Sequence, residues 1–404
     1  LLFFLIDHNF TISLTAGDAD FVLANVASIS GASAKRQIAF VVLGISGVLF
    51  LAMRRRLDYA VRHAPLVVAF LYVVLAWLSC FWADNPRLVL KRVVSFSLLL
   101  LAAFALSRSV PKSGFVSMLA AVSGVFLVLG IVAERVLGTF TPLAEGYRFM
   151  GTRGPEGQGF NCGILVLSSL AIADSGRGFT RLVFRLISVV GFLFLVLTRA
   201  RGPFAGLVVA LAAYHHLTRR RESTVSLAFV GVLIACFFVL LLGWSDFTSF
   251  MLMGRQEEAS TLTGRTPLWD ECLNSVAKRP LVGYGFSGFW TESRVMEFAG
   301  SQGWINFNAH SIYLDTALSL GVVGLTLLLL MLFSALRRGI RDVRDCPDTT
   351  RSLLISVLLL ICVDGLVSTV PIESAFSLFV LLAVVSYLCF SKPHSLDGSL
   401  VKPR

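Results

Sequence analysis

Long apolar runs alternate with short polar breaks along almost the whole chain. Clear runs cover about 37–53, 64–82, 91–106, 113–133, 158–174, 182–198, 203–217, 224–243, 309–334, 351–370 and 372–390. Most match the ~20 apolar residues a helix needs to cross roughly 30 Å of hydrocarbon. Barrel strands would be shorter and would alternate apolar with polar positions, so the pattern predicts helices. Leu1–Leu14, broken by Asp7 and His8, joins Val22–Ala34 in one less regular first span. The expected fold is all-α, a polytopic membrane protein of about twelve transmembrane helices. One polar break is far longer than the rest, about Trp244 to Phe307. It divides the chain into helices one to nine over 1–243, a loop over 244–308, helices ten to twelve over 309–390, and a tail over 391–404.

Composition agrees. The chain is 56% hydrophobic and 15% charged, whereas soluble domains carry about a quarter charged residues. The net charge of +11 changes the picture through its placement. Basic residues gather at the ends of apolar runs, where nucleic-acid binding would need them on one soluble face. The breaks 54–63, 107–112, 175–185, 218–222, 337–351 and the tail hold 20 of the 35 Lys and Arg, all on one side of a twelve-span arrangement. The positive-inside rule makes that side cytoplasmic and the 244–308 loop external. No internal repeat of clear period appears, which argues against a transporter built from paired halves. Seven scattered cysteines without C-x-x-C spacing read as small buried hydrophobes.

The chemistry concentrates between Gly264 and Leu325. Arg265 begins Gly264-Arg265-Thr266-Pro267-Leu268-Trp269, with Pro267 suited to the first turn of a helix. An arginine and free amide donors at a helix N-terminus can bind phosphate, or simply cap the surface. Arg199 and Arg201 share a turn with almost no other residues, so two cations are held at the outer mouth. They could bind an anionic headgroup or snorkel to lipid phosphates. Trp269 and Trp290 could stack on sugar rings or seat the loop at the interface. His310 is the one histidine of the external region. Without a His or Cys companion it makes a poor zinc site, and no G-x-S-x-G is present. Proton transfer or a helix-cap hydrogen bond remains. Asp315, about 140° around a regular helix from His310, is a poor orienter for it. Asp364, inside a span, is a functional candidate by position alone.

These stretches resemble the bacterial O-antigen ligase and exopolysaccharide polymerase superfamily. Arg265 with Trp269, Gly283-Tyr284-Gly285-Phe286 through Trp290, and His310-Ser311 followed by Gly321-x-x-Gly324 carry the likeness. Trp77 to Arg92 resembles an early Trp-rich segment of the family. Gly151 to Gly163 resembles its G-x-x-x-H-x-N-x-x-G segment, with Asn161 retained. Thr198 to Gly202 resembles its T-x-S-R-G turn, with Arg201 as the arginine. The resemblance implies a GT-C-like membrane glycosyltransferase of the inner membrane with its active site on the periplasmic face. It implies a donor glycan on undecaprenyl pyrophosphate, a glycan or lipid A core acceptor, and metal-independent inverting transfer without a cofactor. Arg201 and Arg265 would then bind pyrophosphate and His310 would serve as the base. Arg199, Arg279, Trp269, Tyr284, Trp290 and Asn161 would contact substrate. Nucleic acid is no expected partner. The Asn308-Ala309-His310-Ser311 wording lacks the first histidine of the H-A-H-N form, and the Gly283–Trp290 wording leans toward the polymerases. A flippase or permease, or a membrane scaffold without catalysis, is the reading from a different class.

Overall fold

The computed structural model describes residues 3, 7, 34–53, 63–144, 147–218, 265–302, 307–370 and 374–390. The run at 224–243, most of the first span and the tail lie outside them. Helices are α1 Ala34–Ala52, α2 His63–Leu78, α3 Pro86–Ser109, α4 Lys112–Val136, α5 Gly154–Ser175 and α6 Gly178–Thr198. They continue as α7 Arg201–Thr218, α8 Arg265–Lys278, α9 Glu292–Gln302, α10 Ile312–Asp345, α11 Thr349–Asp364 and α12 Ala375–Phe390. No strand occurs among the described residues. Each clear apolar run within them is a helix. α3, α4, α6 and α10 are long and apolar enough to cross a membrane by length and composition.

Burial sorts the helices into an inner and an outer set. α5 and α11 are buried on nearly every face, as expected for helices apolar all round. Phe126 on α4, Phe160 on α5, Tyr214 on α7, Leu358 on α11 and Phe376 on α12 meet in the main core. α1, α2 and α6 instead expose large apolar side chains such as Ile45, Phe70 and Leu193. In water such a belt would be unstable; against lipid tails it is the expected outer surface. The protein is a multi-pass membrane protein. Asp7, which interrupts the first apolar run, accepts the backbone N–H groups of Ala375 and Phe376 at 2.8 Å and so caps α12.

The bundle has two distinct ends. At one, the Asp174 carboxylate accepts the Tyr214 hydroxyl at 2.9 Å, and the Tyr387 hydroxyl donates to the Val110 carbonyl at 2.9 Å. The other end carries the turns before α5, α7 and α10 and the layer formed by α8 and α9. That layer has its own core of Leu268, Cys272, Tyr284, Phe289, Trp290 and Phe298.

The layer is fastened to α10 at a break in that helix. Gly321 has φ 65° and ψ −167°, a conformation reserved for glycine. The segment after α8 fills the gap. Val322 N–H donates to the Pro280 carbonyl (2.8 Å), Val323 N–H to that of Leu281 (3.3 Å), and Tyr284 N–H to that of Leu318 (2.9 Å). Backbone groups freed inside a membrane helix must find such partners. A Cβ on Gly321 would sit 2.2 Å from the Leu281 carbonyl carbon and oxygen. Gly321→Ala should therefore lose at least about 3 kcal/mol from strain and overlap combined, with the layer detached. Thermal melting of the purified variant checks this; a melting point within a degree or two of the parent would refute it.

Candidate active site

The site is built around an acid at a helix start. Pro155 occupies the first turn of α5 and Glu156 follows it, where the helix dipole favours a negative charge. Glu156 Oε1 accepts a hydrogen bond from Nη2 of Arg265, the first residue of α8. Glu156 Oε2 accepts from Ser368 Oγ at 3.4 Å and lies 3.8 Å from His310 Nδ1. Burial alone would raise the carboxyl's pKa. The nearby His310 imidazole and the Arg265 charge outweigh it and hold the pKa down, at about 2. Arg265 Nη1 donates to the Val367 carbonyl beyond α11. One guanidinium therefore ties the layer to two other elements.

His310 is aimed by a short, heavily constrained link. Its backbone is left-handed at φ 49°, a conformation that costs a non-glycine residue roughly 1 kcal/mol or more. Its N–H donates to Asn308 Oδ1 at 3.0 Å. Beside it, Ala309 is clamped from both sides. The Asp315 carboxylate takes its N–H at 3.1 and 3.2 Å, and Trp269 Nε1 donates to its carbonyl at 2.8 Å. The Ile312 N–H then donates to the Gly365 carbonyl at 2.9 Å. Asp315 thus fixes the histidine's backbone. Angles around a regular helix did not anticipate this, because residues 307–311 are not helical and fold back over the first turn of α10.

The arginine turn reaches the same end. Arg199 closes α6 in a left-handed conformation, φ 51°, and α7 begins at Arg201. Gly202 is packed so closely on Asp364 that a Cβ there would lie 2.5 Å from Oδ1. Asp364 is completely buried, and neither carboxylate oxygen has a hydrogen-bond partner among the described residues. The sequence pattern expected Asp364 inside a span. It is in fact the last residue of α11, since the helix ends there and three turn residues follow. It feels the charges of both Glu156 and Arg265. Phe149 N–H donates to the Leu197 carbonyl (2.9 Å) and Arg148 Nε to that of Thr198 (3.3 Å), seating the turn on the segment that leads into α5.

Of the residues expected to contact substrate, Tyr284, Trp290 and Asn161 are buried within the fold, and Arg279 is held in an ion pair with its side chain 41% exposed. Tyr284 and Trp290 are only 6% and 7% exposed and pack inside the layer instead of offering a ring face to a sugar. The Tyr284 hydroxyl donates to the Ser275 carbonyl and Trp290 Nε1 to Asp315 Oδ1 at 2.7 Å. Arg279 pairs with Asp84 at 2.9 Å and lies over the Tyr284 ring at 4.7 Å; Arg294 shares Asp84 and approaches the same ring at 4.3 Å. Asn161 is fully buried, its Nδ2 donating to the Ser123 carbonyl at 3.0 Å between α5 and α4. For Tyr284 and Trp290 hydrogen bonding explains the placement, since a buried indole or phenol must find a partner. The Trp-rich stretch before α3 is likewise a dock for the layer. Trp82 Nε1 donates to the Val282 carbonyl at 3.1 Å, and Phe286 N–H to Ser79 Oγ at 2.8 Å.

Arg265 and His310 therefore share one carboxylate, with a buried acid and the Arg199–Arg201 turn at the same bundle end. Such a cluster can bind an anion and move a proton. Glu156 escaped the sequence reading. Its one signal was an acid beside Pro155 within the glycine-rich Gly151–Gly163 stretch, at the mouth of an apolar run.

The chain matches the O-antigen ligase family (Wzy_C) over residues 186–329, which include Arg199, Arg201, Arg265 and His310. It is also 24% identical over 310 residues to the exopolysaccharide production protein ExoQ of Rhizobium meliloti (strain 1021), covering 70% of this chain and 68% of that one. Together the two likenesses support the superfamily whose motifs the sequence resembles, that of the O-antigen ligases and ExoQ-like exopolysaccharide enzymes.

Proposed function

We propose that this O-antigen ligase/polymerase-type membrane enzyme is a polysaccharide polymerase. It extends a glycan from an undecaprenyl-pyrophosphate-linked donor at the periplasmic face of the inner membrane. The observation that carries the reading is the convergence of Arg265 and His310 on Glu156, at the bundle end that also holds the Arg201 turn. In this reading about twelve helices span the membrane and residues 244–308 lie outside, in keeping with the basic residues on the opposite side. Arg201 and Arg265, assisted by Arg199, hold the pyrophosphate and neutralise its charge as it leaves. His310 takes the proton of the acceptor hydroxyl as its oxygen bonds to the anomeric carbon. The carbon–oxygen bond to pyrophosphate breaks on the opposite face, and that bond's electron pair departs with the lipid pyrophosphate. The anomeric centre inverts in one step, and no metal is required because the arginines stand where a cation would. Trp269, Tyr284, Trp290, Arg279 and Asn161 serve by holding these groups in place.

Similarity to an exopolysaccharide production protein over most of both chains favours the polymerase. The O-antigen ligase match over 186–329 supports the second reading, transfer to a lipid A core sugar. A flippase is disfavoured because the candidate site's cations, Arg199, Arg201 and Arg265, collect at one end instead of lining a path through the bundle. The test is reconstitution with lipid-linked donor alone and, separately, with donor plus lipid A core acceptor. A polymerase lengthens the lipid-linked glycan when given donor alone. Product only on lipid A core would identify the ligase instead.

A further inference from the structure

Glu156 presents an oddity for a site that receives a diphosphate. The donors suited to an incoming oxyanion already surround an anion, and that anion belongs to the protein. Arg265 Nη2 is bonded to Oε1, Ser368 Oγ to Oε2, and His310 Nδ1 is 3.8 Å from Oε2. They come from α8, the turn after α11 and the link before α10, so the carboxylate sits where three elements converge. Its position in the first turn of α5 adds the helix dipole, which also favours a phosphate. The Glu156 side chain is 29% exposed, so it has an open side toward which it can swing. Asp364, fully buried behind it against Gly202, has none.

We propose that Glu156 is an internal competitor for the donor's diphosphate. It occupies the anion position of the empty site, and donor binding displaces it from Arg265 and His310. The proposal rests on the pyrophosphate reading given above and adds a residue that controls access to it. A diphosphate offers more acceptor oxygens and more charge than a carboxylate, so it can take over the guanidinium and the helix end together. The groups facing the position are Glu156, Arg265, His310 and the buried Asp364. The low pKa of Glu156 is consistent with this role, because the competitor is charged whenever the site is empty. Displacement would also detach the carboxylate from the imidazole, so donor arrival and release of the base become one event. The acceptor is then activated only after the donor is in place.

The experiment measures binding, so the variant does not have to turn over. Protein in nanodiscs of zwitterionic lipid is titrated with inorganic pyrophosphate by calorimetry. Wild type, Glu156→Gln, Glu156→Ala and the Glu156→Gln/Arg265→Ala pair are compared, each checked for an unchanged melting point. Removing the competing charge should tighten pyrophosphate binding at least about 10-fold in Glu156→Gln and Glu156→Ala, in line with one charge-assisted hydrogen bond freed. Adding Arg265→Ala should abolish that gain. A gain in affinity is a result that mere structural damage would not give. Arg265-dependent binding of equal or lower affinity in both single variants would overturn the proposal and leave the pyrophosphate reading standing. Pyrophosphate binding by none of the proteins would contradict that reading and the proposal with it.

Discussion

Arg265→Lys should lower glycan transfer by roughly 30- to 1000-fold while the protein folds and inserts normally. Arg265 divides its guanidinium between the Val367 carbonyl and the Glu156 carboxylate. A planar fork can hold both directions at once; an ammonium on a flexible stem cannot hold a diphosphate bidentately. Loss of one such contact on charge that develops in the transition state is worth about 2–4 kcal/mol, which converts to the stated range. Arg201→Lys should fall in the same range, because its neighbour Gly202 is locked against Asp364 and the turn cannot shift to compensate. Initial rates on purified, reconstituted protein make the comparison. Wild-type rates in both lysine variants would reduce these arginines to interfacial anchors.

His310→Ala should cut turnover by about 100-fold or more while the donor still binds. A sugar hydroxyl is a weak nucleophile, so a positioned base matters. The pyrophosphate needs no proton as it leaves, so one base is enough. The structure invests heavily in placing this ring. A left-handed backbone, the double clamp on Ala309 and the tie of Ile312 to Gly365 all fix its origin. Because those clamps act on the backbone, the alanine variant should keep the link intact. Donor binding and melting temperature should therefore remain near wild type. An alanine variant with full turnover would leave His310 with a capping role only.

How much of this was readable in the chain depended on the kind of interaction. The helices followed the apolar runs because a membrane helix is set by length and local composition, which one sequence carries in full. Arg265 opening a helix was legible from Pro267. Its partner was not, because Glu156 lies 109 residues earlier and only the tertiary arrangement unites them. Tyr284 and Trp290 looked like sugar platforms because an aromatic with a polar tip suits an interface and a small core equally. Only their hydrogen bonds to Ser275 and Asp315 assign them to the core. Asp364 was expected within a span because apolar residues continue past it, whereas the helix ends at it. Gly321 is visible in the sequence as part of the Gly321-x-x-Gly324 motif. Its physical reason, a helix broken to admit the backbone of residues 280–284, required the contact across the break.

The central claim is that one cluster of side chains breaks a lipid-pyrophosphate linkage and makes a glycosidic bond. The most direct measurement counts both events in purified, reconstituted protein supplied with lipid-linked donor and a metal chelator. The account predicts one lipid pyrophosphate released for each glycosidic bond formed, at a rate unaffected by chelation and strongly reduced in Arg265→Lys and His310→Ala. Lipid pyrophosphate release without new glycosidic bonds, or equal rates in the wild type and both variants, would contradict it.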